Sequence, residues 1–317
     1  MEEVVASGAA PEEQAAAAPG FDLDPRQFDM IVIDALARIV CAPHLDAWRE
    51  KTPIVAMVHE LPGIASPESA ERERRFEGPL LRSDLLVSVS DHGKSILENL
   101  GVSAGRISVV PPGTDHLMNE KVQNSAEEDE TVRALCVAQW IPRKGILGLV
   151  RAWNSRERPD AKLTLIGETG ANREYAAAVR FAIADGPESS ITVAGPVDDE
   201  ELLRAYAEAD FFALPSRYEG YGLVYAEALA SGLPIVACEV GPVPELVGED
   251  AALLVPVGDT GALAGALDRL IRDASLRARM SEAACRQART LPRWDQAVSG
   301  FYEALQAAVT NRTKRVL

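Results

Sequence analysis

From residue 28 onward the chain alternates short apolar runs with stretches of helical character. In the first half these runs are Met30–Ile33, Ile54–Val58, Leu85–Val89 and Ile107–Val110. Short β-rich runs separated by helices of about 10–15 residues predict βαβ units and a parallel sheet. The segment Pro111–Glu130 breaks the pattern with PPG and then QNSAEEDE, and reads as an interdomain linker. The alternation then restarts more fully. Strands are predicted at Val132–Val137, Leu163–Ile166, Ile191–Val193, Phe211–Leu214, Ile235–Ala237 and Ala252–Val255, with helices between them. Three further helices, over 260–272, 275–290 and 295–309, close the chain. Six strands with their crossovers make a whole doubly wound domain, whereas the first half offers four. Residues 1–27, rich in Ala, Glu and Pro and without a period, read as a disordered tail. The expected organisation is therefore a tail (1–27), an incomplete first domain (28–118), a complete second domain (119–294) and a last helix (295–317) packing back toward the first domain.

Composition narrows the partners. The 317 residues are 47% apolar, which suits about two domains with cores. Lys and Arg number 32 against 48 Asp and Glu, a net charge of −16. That balance works against nucleic acid or an anionic membrane as the main partner, since both need a dense positive face. It leaves room for a small anion, which one Lys and a helix N-terminus can hold. No apolar run approaches the roughly 20 residues that cross a bilayer. Glu2 and Glu3 stand where a signal peptide would carry positive charge, so a cytoplasmic location is expected. Cys41, Cys136, Cys238 and Cys285 lie far apart without a CxxC pair and read as reduced thiols, three of them in apolar runs.

The chemistry concentrates in ADFFALPSRYEGYGLVYAEALASGLPIVA, residues 209–237. This reads as a buried strand, a loop from Pro215 to Gly222, a helix from about Leu223 to Ala230, a stop at Gly232 and Pro234, and another buried strand. Gly220 and Gly222 before the helix let backbone approach a ligand, and the helix N-terminus is an anion site suited to diphosphate. The loop follows the carboxyl end of a strand, where open α/β sheets bind ligands. Glu227 is an unexpected carboxylate on a mostly apolar helix. Taken as one helix, Glu219 and Glu227 would lie roughly 12 Å apart. That exceeds the roughly 5–9.5 Å of glycosidase carboxyl pairs.

Other signals fail. Gly93, Lys94 and Ser95 resemble the end of a P-loop, but Ser88 stands at the required glycine, so Asp91 is read as the N-cap of an ordinary helix. His59-Glu60 opens like a zinc motif, but Gly63 replaces the second His, so no metal is expected.

The 209–237 segment resembles the EX7E segment of the retaining family 4 (group 1) glycosyltransferases. VAQWIPRKGILGLVRAW (137–153), LTLIGETG (163–170), ITVAGPVDDEELLRAYAEAD (191–210) and VSVSDHGKSILENLGVSAGRISVVPPGTD (87–115) extend the resemblance over 28–310. It implies a GT-B fold: α/β, with two Rossmann-like doubly wound domains facing a cleft. It also implies transfer of a sugar from a UDP-, GDP- or ADP-sugar donor to a small-molecule, glycan or lipid acceptor, with no cofactor and no metal. Residue by residue, Glu219 would hydrogen-bond donor sugar hydroxyls, helped by N–H groups around Gly220, Tyr221, Gly222 and Leu223. Glu227 would accept from the nucleotide ribose. Lys144 would neutralise the leaving diphosphate, with Arg143 beside it. Backbone at Gly195 to Val197 would edge the base, and His59 would face the transferred sugar.

Two departures matter. Gln139, preceded by Ala138, stands where the family has Arg, so one of two phosphate cations is missing; a charge-assisted hydrogen bond is worth about 1.5–3 kcal/mol. Nothing in 1–30 supplies the leading strand and Gly-rich loop of the family's first domain. Three explanations stand open: a truncated or atypical enzyme, a second subunit supplying the missing elements, or a non-catalytic nucleotide-sugar-binding member.

Overall fold

The computed structural model describes residues 11–21, 23–114, 131–155, 161–188 and 190–316. Most of the candidate linker lies outside the described residues. The chain divides into two compact units, one of residues 1–112 with 295–317 and one of residues 113–294.

The first unit holds a four-stranded parallel sheet in the order β1 (Ile31–Asp34), β2 (Ile54–Val58), β3 (Leu85–Ser88), β4 (Ile107–Val109). Alternate residues of a strand face opposite sides, and each side has its own core. Ile33, Ile54, Ala56, Leu86 and Ile107 meet Cys41, Leu45 and Trp48 of α2 (Arg38–Lys51) on one side. On the other, Val55, Leu85 and Val87 meet Ala304 and Ala308 of the last helix (Trp294–Val316), flanked by Phe301 and Leu305. The spacing 301, 304, 305, 308 is one stripe of a helix.

Two expectations need correction here. Pro11–Ala17 forms helix α1, and the turn after it buries Ala18, whose carbonyl lies 2.9 Å from His44 Nε2. The ring of Phe21 packs at 5.9 Å from that of Trp48. This part of the expected tail is therefore helical, with Gln14 and the alanines after it as good helix formers. The helix Asp91–Asn99 (α5; α3 is Pro62–Ala65 and α4 is Ala70–Leu81) is capped by Ser90, not Asp91, with Ser90 Oγ accepting from Gly93 N at 3.0 Å.

The second unit is a six-stranded, wholly parallel sheet. Its strands are β5 (Val132–Val137), β6 (Ala161–Ile166), β7 (Ile191–Gly195), β8 (Phe211–Leu214), β9 (Ile235–Cys238) and β10 (Ala252–Val255). The spatial order is β10-β9-β8-β5-β6-β7. Within the unit this is the Rossmann order 3-2-1-4-5-6. β8 and β9 are buried along their whole length, as central strands covered on both faces must be. After β5 the chain enters α6 (Ile146–Asn154), which packs against α7 (Arg173–Ala184) and α11 (Thr260–Arg272). After β8 it enters α9 (Leu223–Ala230), which packs against α10 (Val243–Val247) and α12 (Ala274–Ala288). α8 (Asp199–Glu208) precedes β8, its N-terminus capped by Asp198. Cys41, Cys136 and Cys238 are buried free thiols, and burial pushes Cys136 up to about 12. Among the described residues no helix is long and apolar enough to cross a membrane.

Candidate functional site

Successive strands run outward from β5 in one direction as far as β7, and from β8 in the other as far as β10. The reversal between β5 and β8 is the switch point, the place in open α/β sheets where ligands bind beyond the carboxyl ends of the strands. The loop after β5 carries Gln139, Arg143 and Lys144; the loop after β8 carries Glu219 to Gly222.

Gly145 brings the two loops together. It closes the turn Pro142–Lys144 and caps α6 at φ 71, a left-handed backbone that suits glycine. A Cβ there would run into the Pro215 carbonyl oxygen. With this approach Lys144 Nζ donates to Glu219 Oε1 at 2.7 Å, with side chains 14% and 6% exposed. Arg143 Nη1 makes a long 3.5 Å contact to the Tyr218 carbonyl, and the Arg143 carbonyl accepts from Arg217 N at 2.7 Å. Both cations of the first loop thus address consecutive residues of the second. Gln139 is exposed.

Gly222 caps α9 at φ 99 and offers no side chain to the helix end. The first N–H groups of a helix have no intrahelical acceptor, so those of Leu223 and Val224 suit an anion. Tyr225 O–H donates to the Leu214 carbonyl at 2.8 Å and fixes the first turn of α9 to the end of β8. Tyr221 is half-buried, and burial pushes its phenol up to about 12. Glu227, half-buried on α9, accepts from Tyr206 O–H at 2.7 Å. At the end of β7, Gly195 has its carbonyl engaged by Gly167 N–H at 2.8 Å, and half-buried Val197 packs on the core.

Glu219 lies in the loop, four residues before α9 begins, so the helical separation expected for Glu219 and Glu227 does not apply. Their partners keep them distinct instead: one holds a lysine, the other a tyrosine.

His59 belongs to the first unit, just past β2. Its Nε2 lies 3.1 Å from Asp34 Oδ2 at the end of β1, with both side chains nearly half exposed. The hydrogen bond with Asp34 raises the His59 pKa against the opposing effect of burial, with smaller contributions from the Asp34 and Glu60 charges. The same bond lowers Asp34. Beyond His59 the chain is held by Glu77, which accepts from Gly63 N at 2.8 Å, while Glu73 of α4 takes two hydrogen bonds from buried Arg38 of α2. Asp34 and Tyr206 are the residues that sequence reasoning missed. For Asp34 the available signal was a carboxylate closing a strand beside the strand that precedes His59; for Tyr206 there was none beyond its place in the motif.

Two α/β units, each built on a wholly parallel sheet, make up a GT-B glycosyltransferase architecture. The chain belongs to the glycosyl transferases group 1, whose family model matches residues 118–287, and the glycosyltransferase family 4 model matches residues 22–116. It is 30% identical over 291 residues to D-inositol 3-phosphate glycosyltransferase of Corynebacterium glutamicum, covering 84% of this chain and 69% of that protein. With MMP alpha-(1->4)-mannosyltransferase of Mycolicibacterium hassiacum the identity is 31%, over 69% of this chain and 56% of the relative. The chain thus spans between a little over half and about two thirds of these relatives' length. Among solved structures, Anabaena HepE in complex with UDP-glucose superposes at a TM-score of 0.76 with 20% identity, over 93% of this chain and 82% of that one. A second subunit, one of the three explanations open from the sequence, finds no support among these relatives.

Proposed function

We propose that the chain transfers a sugar from a nucleoside-diphosphate-sugar to a hydroxyl of a small-molecule, glycan or lipid acceptor, with retention and without a metal ion. The observation that carries this reading is the 2.7 Å Lys144–Glu219 pair across the switch point. In transfer, the bond from the anomeric carbon to the diphosphate oxygen breaks and a bond to the acceptor oxygen forms. Negative charge grows on the departing diphosphate, and preorganised donors aimed there stabilise the transition state most. Lys144 and the N-terminus of α9 supply them. Glu219 accepts from the sugar hydroxyls, Glu227 from the ribose, and backbone at Gly195 and Val197 edges the base. The acceptor proton passes to the departing phosphate oxygen on the same face. The relatives, a D-inositol 3-phosphate glycosyltransferase and a mannosyltransferase, support a hexosyl donor.

Gln139 favours one second reading: donor binding without turnover. Incubating the full chain with UDP-glucose, GDP-mannose and ADP-glucose, with and without EDTA, separates the two. Release of nucleoside diphosphate unaffected by EDTA is the expected result. Tight donor binding without release would replace transfer by the second reading, and loss of release in EDTA would overturn metal independence.

A further inference from the structure

Glu227 carries a carboxylate on a helix otherwise lined by Ala226, Ala228 and Leu229, all buried. A carboxylate has about four lone-pair sites. Among the described residues the one side-chain hydrogen bond to it comes from Tyr206 O–H, at 2.7 Å to Oε2. The phenol has a single hydrogen and a second acceptor nearby, the Val224 carbonyl at 3.4 Å. The shorter bond to a charged oxygen takes the hydrogen. Tyr206 itself is held by the core. It is 3% exposed, and its ring stacks on that of Phe212 at 6.1 Å. Phe212 in turn meets the edge of Tyr225 at 5.8 Å. Burial, together with the Glu227 charge, pushes the phenol well above its usual range, so it remains a donor at any pH the protein tolerates.

We propose that Tyr206 is the positioning residue for ribose recognition: its hydroxyl ties down Oε2 of Glu227 and leaves Oε1 to accept from a ribose hydroxyl of the nucleotide. This rests on the assignment of Glu227 to the ribose. A flexible glutamate would have to be ordered on binding, whereas one clamped by a core tyrosine is ordered beforehand. Discrimination between ribose and deoxyribose then depends on a side chain contributed by α8, from outside the EX7E segment.

The test measures binding of UDP and GDP, and of their 2′-deoxy and 3′-deoxy forms, to the full chain by calorimetry. It compares wild type with Tyr206→Phe and Glu227→Ala. For the tighter-binding base, wild type is expected to lose about 10–100-fold for one of the deoxy forms, the worth of one charge-assisted hydrogen bond. Tyr206→Phe is expected to shrink that ratio to below about 3-fold by weakening the ribonucleotide while leaving the deoxynucleotide near its wild-type affinity. If Tyr206→Phe keeps the wild-type ratio, or weakens both forms equally, Tyr206 is only structural and the proposal falls. If Glu227→Ala also keeps the ratio, the assignment of Glu227 to the ribose is what failed; if Glu227→Ala abolishes it, the failure is confined to Tyr206.

Discussion

Replacing Lys144 with methionine tests the ion pair as a structural element as well as a catalytic one. Lys144 and Glu219 have side chains 14% and 6% exposed, so solvent screens their attraction little. Removing the lysine strands a buried carboxylate, which typically costs about 3–5 kcal/mol. For a unit of about 180 residues each kcal/mol lowers Tm by about 2–4 °C, giving a drop of roughly 6–20 °C. Glu219→Gln strands an ammonium on a flexible stem that can reach water, so its cost is smaller. The double variant Lys144→Met/Glu219→Gln removes both charges and leaves neither one stranded, so it is expected to be more stable than Lys144→Met alone. Chemical denaturation of the four proteins closes the cycle. A coupling energy of about 2 kcal/mol or more is expected. Lys144→Met with wild-type stability would refute the reasoning, because the pair would then be a surface contact. Loss of activity in either single variant therefore has to be read beside its melting curve.

Three other substitutions probe the same framework. Asp34→Asn replaces the charged acceptor that raises the His59 pKa with a neutral amide, so imidazole titration followed by NMR should move down toward about 6.5. In wild type the raised His59 pKa contributes stability below its unfolded value and loses it as pH rises through the folded one. The lowered Asp34 pKa contributes above its unfolded value and loses it as pH falls through the folded one. An unchanged His59 titration in Asp34→Asn would break the pair as described. Gly145→Ala puts a side chain at φ 71 against the Pro215 carbonyl. The left-handed backbone alone costs about 1–2 kcal/mol, and calorimetry should show weaker nucleotide binding as the two loops part. Tyr225→Phe withdraws the donor from the Leu214 carbonyl and should cost about 1–3 kcal/mol in denaturant melts, with α9 still formed by circular dichroism.

The strands of both sheets were legible because each is a short run between helices, apolar along its whole length in central strands such as β8 and β9, which the sheet buries on both faces. Observed and expected bounds differ by a residue or two, as at β6, which begins at Ala161 rather than Leu163. The α1 helix was hidden because its seven residues bury little of their own; Ala18 and Phe21, beyond its end, dock on α2. At the site, the glycines and the Glu219 loop were visible as local chemistry. The partners were not: Lys144 lies 75 residues from Glu219, and Tyr206 lies 21 from Glu227 on a different helix. Only the strand order, which places β8 beside β5, makes the first of these pairs possible. Asp34 escaped for the same reason, since its link to His59 depends on β1 and β2 being neighbours in register.

The most direct test of the central claim is the rate of nucleoside diphosphate release from a saturating nucleotide-sugar donor, with wild type and Lys144→Met compared at a temperature where both are folded. If Lys144 meets the charge that develops on the leaving diphosphate, release should fall at least about 10–100-fold, with free sugar or glycosylated acceptor as the co-product in wild type. Equal rates in the two proteins would contradict the account.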